Sequence, residues 1–455
     1  MGFKARRATA KRFLLPILVV GAFAAFVVGA QAHPGDLDQS YGNGGLSTID
    51  VEGGHDDFAT SMLMDEANRA MLGGYTENTT EDMAVARFKL DGTPDKSAFS
   101  NGGVDSASLR IDLGGNDRAN GMAMGGDKKL LLAGQTDVNG NEDFAVVRRN
   151  IPGGAPDTTF NAGGTPGQLI VDLCGNGGND IANTVFRLPD GKFLVGGTTD
   201  CNGNLDFAIA RITAKGVLDP RFTYTGAPGL GYSSPQPGVI LVDFGGNDVL
   251  TGIWGFSNTK WFASGYTDVN GSNDIAFVGF QGVSRVQPGF GGQGTGRGIF
   301  NLGGDDRALA VQVDNNKKII VGGSSGGHML VARFKPNAKS LDLSFGSNGV
   351  EVGDFGGTDA ANALLYQRRL DRKIVPAGST DASGNNDFGV ERLLKDGARD
   401  TQFGADGQVT TNFDGTSDDV ATGLGFNSVN GKVTVGGYTN ANGDYDFAVA
   451  TYLPT

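Results

Sequence analysis

The residues best suited to chemistry are acids and amides at alternate positions in short loops. The clearest run is Asp137, Asn139, Asn141 and Asp143, with Gly140 at its centre. Related runs begin at Asp200, Asp268, Asp381 and Asn440. Hard oxygen ligands in this spacing are what Ca²⁺ favours, so these residues are the candidate metal ligands and calcium is the cofactor they suggest. The run is shorter than an EF-hand loop and lacks its closing bidentate Glu. A structural reading competes with it: an Asn-Gly hairpin whose Asp side chains cap loop amides. Recurrence along the chain is the mark of such a structural role.

Trp254 and Trp261, with Tyr232 nearby, are the candidate ligand-binding residues, since aromatic side chains can stack on sugars or anchor peptides. Filling a gap inside the fold is the alternative, because Trp is so often buried. Cys174 and Cys201 are the only two cysteines. They fall in loops of one repeat, and a disulfide between them is expected. Other matches carry less. Gly322-Gly323-Ser324-Ser325-Gly326, near His328, fits G-x-S-x-G, but a nucleophile elbow needs a strand-to-helix turn. The glycines at 289, 291 and 294 lack the βαβ unit of a dinucleotide site. The three histidines form no HExxH. No catalytic residue is singled out.

The elements that hold these residues repeat. An Asp in a D-x-A or similar context recurs as Asp57, Asp117, Asp180, Asp248, Asp306, Asp359 and Asp419, at intervals of 53 to 68 residues. A second anchor gives Gly74, Gly134, Gly197, Gly265, Gly323, Gly378 and Gly437. A third, D-F-A-V-A-R, begins at Asp82, Asp143, Asp206, Asp274, Asp387 and Asp446, with His328 in the Asp position of the fifth copy. Its Arg recurs as Arg87, Arg148, Arg211, Arg333 and Arg392, and a repeated ion pair or stem packing is its expected role. In the third copy the pattern predicts strands over Gln168–Leu173, Ala182–Leu188, Lys192–Gly197 and Asp206–Ile212. Asp190-Gly191 and Asn202-Gly203 supply the hairpin turns. No helix-capping pattern precedes an amphipathic stripe.

Seven units of four antiparallel strands predict an all-β, seven-bladed β-propeller, in which radial packing covers sheet faces and leaves only short edges. An L-D-x-x-F-G linker follows the D-F-A-V-A-R strand, as at Asp157 and Phe160 or Asp342 and Phe345. The seventh copy has no linker after it, whereas Leu37-Asp38-Gln39-Ser40-Tyr41-Gly42 stands near the start of the chain. The N- and C-terminal segments should therefore join to close the ring. Linker, D-x-A turn, D-G-K turn and D-F-A-V-A-R strand together resemble the delta-60 repeat family, a bacterial β-propeller group largely of unknown function. The resemblance covers residues 33–455. It implies an exported or surface-associated protein and carries over no catalytic residues.

Residues 1–12 hold Lys4, Arg6, Arg7, Lys11 and Arg12 and no acid, Phe13 to Ala30 is apolar, and Ala30-Gln31-Ala32 is a small-x-small site. This order reads as a signal peptide over 1–32, with an uncleaved anchor as the competing reading. Without it, 32 basic residues face 50 acidic ones, a balance that disfavours nucleic acid. The expectation is an exported bacterial monomer, in the periplasm, at the cell surface or secreted, with no membrane span after cleavage. It would act as a non-enzymatic binding or structural module for protein or glycan. The alternative is a polysaccharide hydrolase or lyase using acids near the central channel.

Overall fold

The computed structural model describes residues 32–101, 104–175, 177–226, 229–368 and 371–454. The basic and apolar leader expected before Ala32 lies outside the described residues, and His33–Thr455 forms one unit. In that unit the two middle strands of each sheet carry the core. Phe193–Thr199 and Asp206–Ile212 are buried along their whole length, as expected of apolar runs with a neighbouring sheet on either side. The first strand, Asp180–Arg187, alternates instead between buried and partly exposed residues. The fourth, Val239–Val242, lies beyond the third, so the order is first, second, third, fourth, all antiparallel.

Seven such sheets make an all-β, seven-bladed propeller. Blades 1 to 7 start at Asp56–Met64, Asp117–Met124, Asp180–Arg187, Asp248–Ser257, Asp306–Val313, Asp359–Tyr366 and Asp419–Phe426. The predicted period holds, but its phase shifts. The strand predicted first in the third copy is the last strand of blade 2, where Gln168–Val171 pairs with Asp143–Asn150 and Val171 stands opposite Phe144. Each connection therefore leaves the rim of one blade and starts the next. Closure follows the same rule: Leu46–Ile49 is the fourth strand of blade 7, with Ile49 opposite Phe447 and Leu46 opposite Ala450.

Every first strand shifts register after its second, third or fourth residue, for example between Ala119 and Gly121, between Ala360 and Ala363 and between Ala421 and Gly423. A bulge leaves one residue out of the ladder, and here its side chain reaches the next blade. Thr60 donates to the Ala119 carbonyl, Asn120 to Ala182 at 2.9 Å, Asn183 to Leu250 at 2.9 Å and Thr251 to Ala308 at 2.7 Å. Asn362 donates to Ala421 at 2.9 Å, and Thr422 to Ala59 at 2.7 Å, across the closure. Leu309 breaks this girdle in blade 5. Opposite each bulge stands the recurrent Gly. A Cβ on Gly197 would come within 1.8 Å of the Ile181 carbonyl oxygen, so close backbone approach explains that anchor.

Candidate functional site

Each third strand runs from one face of the ring to the other; six of the seven have the recurrent Asp near their start, with His328 in blade 5, and five have the recurrent Arg near their end. This gives the propeller an Asp face and an Arg face. On the Arg face the linker explains itself. Arg148 Nε donates to Asp157 at 2.6 Å while its guanidinium lies 4.8 Å from the Phe160 ring. Arg333 repeats the bracket with Asp342 and Phe345, and Arg392 with Asp400 and Phe403. A second-strand Lys closes each from the other side: Lys129 at 3.0 Å, Lys318 at 2.6 Å and Lys373 at 3.0 Å. Burial pushes Asp342 up, but the Lys318 and Ser344 bonds and the Arg333 charge bring it down to about 2. Asp219 is likewise held at about 2 despite burial, through Arg221 and Lys192. Blade 1 substitutes Arg69 for the Lys, and beside it a cleft of about 490 Å³ opens, lined by Glu66, Met124, Lys128 and Pro152 among others.

The loop acids expected to ligate a metal lie on the Asp face, where they hold the backbone. Asp137 Oδ1 accepts from the Asn116 amide at 2.7 Å, as Asp200 does from Asn179 and Asp268 from Asn247. Asn139 and Asn141 both donate to Asp143, at 2.8 and 3.2 Å. These contacts are the hairpin-and-cap arrangement that competed with calcium in the sequence. They fix Asp137 against its own blade and Asp143 against the hairpin turn.

A second acidic set was not visible as a motif. The first-strand Asp of each blade lies beside the third-strand Asp of the previous one and the residue ending that blade's fourth strand. Three carboxylates offer oxygens within 4.8 Å of one another at Asp446, Asp50 and Asp57, at Asp82, Asp112 and Asp117, at Asp143, Asp172 and Asp180, and at Asp206, Asp243 and Asp248. His328, Asp354 and Asp359 form the fifth such group. The column Asp50, Asp112, Asp172, Asp243, Asn301, Asp354 and Asn412 recurs at the repeat period and was the signal to follow. Burial pushes Asp57 and Asp248 up to about 7; the Thr76 and Thr267 hydroxyls and a loop amide pull each back, while neighbouring carboxylates push further. Asp180 is raised to about 6 for the same reasons.

Of the aromatic candidates, Trp261 is 1 % exposed and its ring stacks on Phe280 at 4.2 Å. No face of it is left for a ligand, because the second strand it belongs to is covered by both neighbouring sheets. Tyr232 is also buried. The segment Tyr232–Ser233 adds a short strand beside Val239–Val242, and the Tyr232 hydroxyl donates to the Thr295 carbonyl at 3.0 Å. Trp254 differs. It is half-buried near the Arg-face end of the first strand of blade 4, 5.9 Å from Phe186 and with the Arg368 guanidinium 5.0 Å from its ring. Cys174 and Cys201 are disulfide-bonded, with Cα atoms 6.1 Å apart. Glu351 and Glu391 are a carboxylate pair without counterparts in other blades, but Arg399 lies 3.3 and 3.0 Å from them and they sit on a fourth and a third strand, away from the channel.

No curated protein matches the sequence. Among solved structures, Sqt1 from Chaetomium thermophilum aligns at 12 % identity over 87 % of this chain and 82 % of its own, with a TM-score of 0.41. A protein of unknown function from Dyadobacter fermentans aligns at 9 % identity over 90 % and 98 %, with a TM-score of 0.42. A catalytically inactive virginiamycin B lyase from Staphylococcus aureus with quinupristin aligns at 11 % over 89 % and 98 %, with a TM-score of 0.39. The model described as "Domain of unknown function (DUF5122) beta-propeller" matches residues 71–97, 125–160, 188–222 and 370–403, segments that each run from the second strand of a blade into its linker. Those matches fall in four of the seven blades, and the seven-bladed fold is consistent with this family of delta-60 repeat type.

Proposed function

We propose that this propeller is an exported, non-enzymatic binding or structural module for protein or glycan, and that its Arg face makes the contact. The observation that carries the reading is Trp254. The repeated polar residues hold blades together, whereas Trp254 breaks the sevenfold pattern. It leaves part of an indole at the surface with an Arg and a Phe beside it. A half-exposed aromatic with a cation at its edge suits a sugar ring or an anchoring peptide side chain. The test is a glycan-binding screen and a surface-protein pull-down with the wild type and with Trp254→Ala and Arg368→Ala. Binding lost in both variants, with melting temperature retained, supports the reading. Binding that persists in both removes it. Export is tested separately by N-terminal sequencing of the protein from its native host, where a chain starting at His33 is expected.

A further inference from the structure

Seven blade junctions place the same three positions together, yet they do not balance charge in the same way. At the junction of blades 1 and 2 the protein supplies its own cation: Arg110 Nε lies 2.6 Å from Asp82 and Nη2 3.6 Å from Asp112. Between blades 5 and 6 the third-strand Asp is replaced by His328, whose Nδ1 is 3.7 Å from Asp354 and 3.8 Å from Asp359. Between blades 4 and 5 and between blades 6 and 7, Asn301 and Asn412 replace one acid, and the Asn412 amide donates to Asp387. At the junction of blades 2 and 3, both oxygens of Asp143 accept amide hydrogen bonds.

The two remaining junctions have no such relief. Asp206 and Asp446 are 0 % and 2 % exposed. In each, Oδ2 accepts from an Asn amide at 2.7 Å, Asn202 and Asn442 respectively. Oδ1 of each is buried with no hydrogen-bond partner, and it is the oxygen each has left to offer its cluster. The facing first-strand acids repeat the arrangement. Asp248 Oδ2 accepts from the Phe244 amide and Asp57 Oδ2 from the Val51 amide, both at 2.6 Å, and beside each stands a neutral hydroxyl, Thr267 and Thr76, rather than a cation. The third members, Asp243 and Asp50, are exposed, which opens each cluster to solvent on one side. Among the described residues no Lys, Arg or His pairs with any of these six carboxylates; Arg297 reaches only the backbone carbonyl of Asp243. An isolated buried carboxylate oxygen is costly unless something positive meets it.

We propose that the propeller binds two calcium-class divalent cations, one between Asp206, Asp243 and Asp248 and one between Asp446, Asp50 and Asp57. Oxygens that lie within 4.8 Å of one another can meet on a single ion with bonds of about 2.4 Å, the length Ca²⁺ takes with carboxylates. The Asn and amide bonds to Oδ2 orient each carboxylate, as outer partners do around metal ligands. The cation joins adjacent blades, one pair of them being the pair at which the ring closes. Asp206 and Asp446 close two of the loop runs that the sequence singled out, whereas Asp243, Asp248, Asp50 and Asp57 lie outside them, and the inference does not depend on what the Arg face binds.

Calorimetric titration of the chelator-treated full chain with CaCl₂ tests it. Two calcium ions per chain are expected. Asp206→Asn and Asp446→Asn should each weaken one site by about tenfold or more and leave the other intact, while Asp82→Asn, at the arginine-balanced junction, leaves both. Should a buried variant fail to fold, the exposed Asp243→Asn and Asp50→Asn take its place with the same expected loss. Absence of calcium binding, with a melting temperature unchanged by calcium or chelator, overturns the proposal and leaves a shared proton in each cluster. Calcium binding that survives all four substitutions overturns it as well.

Discussion

Buried aspartates occupy both faces of the ring, and the two sets respond to burial in opposite ways. On the Arg face, Asp219 and Asp342 are held at about 2 because each has cations against it. On the Asp face, Asp57 and Asp248 are pushed up to about 7, with carboxylates for neighbours. The same side chain is thus a clamp in one place and a liability in the other, and the difference lies in how deeply it is desolvated and in what the fold sets beside it. Repetition alone does not distinguish these cases, since both sets recur at the same period.

The largest effect should come from breaking a bracket on the Arg face. Arg148→Met leaves Asp157 buried with Lys129 as its remaining cation. Removing one partner of a buried pair costs about 3–5 kcal/mol, and Lys129 keeps the loss toward the lower end; urea unfolding measures it. A loss of similar or slightly smaller size is expected on the Asp face from replacing Cys174 and Cys201 by Ala. Their bond spans a separation of 27 residues, a loop whose closure contributes about 3.5 kcal/mol in the chain-entropy account, an upper figure that native-state strain reduces. Reducing agent should then destabilise the wild type and leave the double variant unchanged.

The smallest effect is a pH dependence of opposite sign on the two faces. Asp180 has a folded value of about 6 against an ordinary 3.8. Between those values the unfolded chain has lost a proton that the folded one keeps, so stability falls as pH rises, by at most about 1.4 kcal/mol per pH unit. Asp180→Asn should flatten that window. Asp219 and Asp342 contribute stability that is fully present above the ordinary carboxylate value and is lost as pH falls through about 2. Unfolding titrations between about pH 2 and 7 read both limbs.

Fold and closure were legible because their signals are local and repeated: turn glycines, apolar second strands, and a linker missing at one end and present at the other. The blade boundary was not, since any starting point in a cyclic repeat gives the same period, and only pairing shows that Gln168–Val171 belongs with Asp143–Asn150. The Arg–Asp–Phe bracket was half visible. The Arg was expected to form an ion pair, but its partner and the Phe face needed three dimensions. Trp261 misled because residue type does not reveal depth, and its strand is covered on both sides. The junction acids were missed because their members are far apart in sequence, Asp50 and Asp57 meeting Asp446 from the opposite end of the chain.

That last strand pairing has a kinetic consequence. Blade 7 takes three strands from Asp419–Phe426, Val433–Thr439 and Asp446–Tyr452 and its fourth from Leu46–Ile49, so the earlier segment must wait until the other six blades and those three strands have been made. Contacts of such long sequence separation form slowly. Trimming either terminus should unzip the same sheet, and until both are in place blade 7 presents an unpaired edge through which two copies could trade strands.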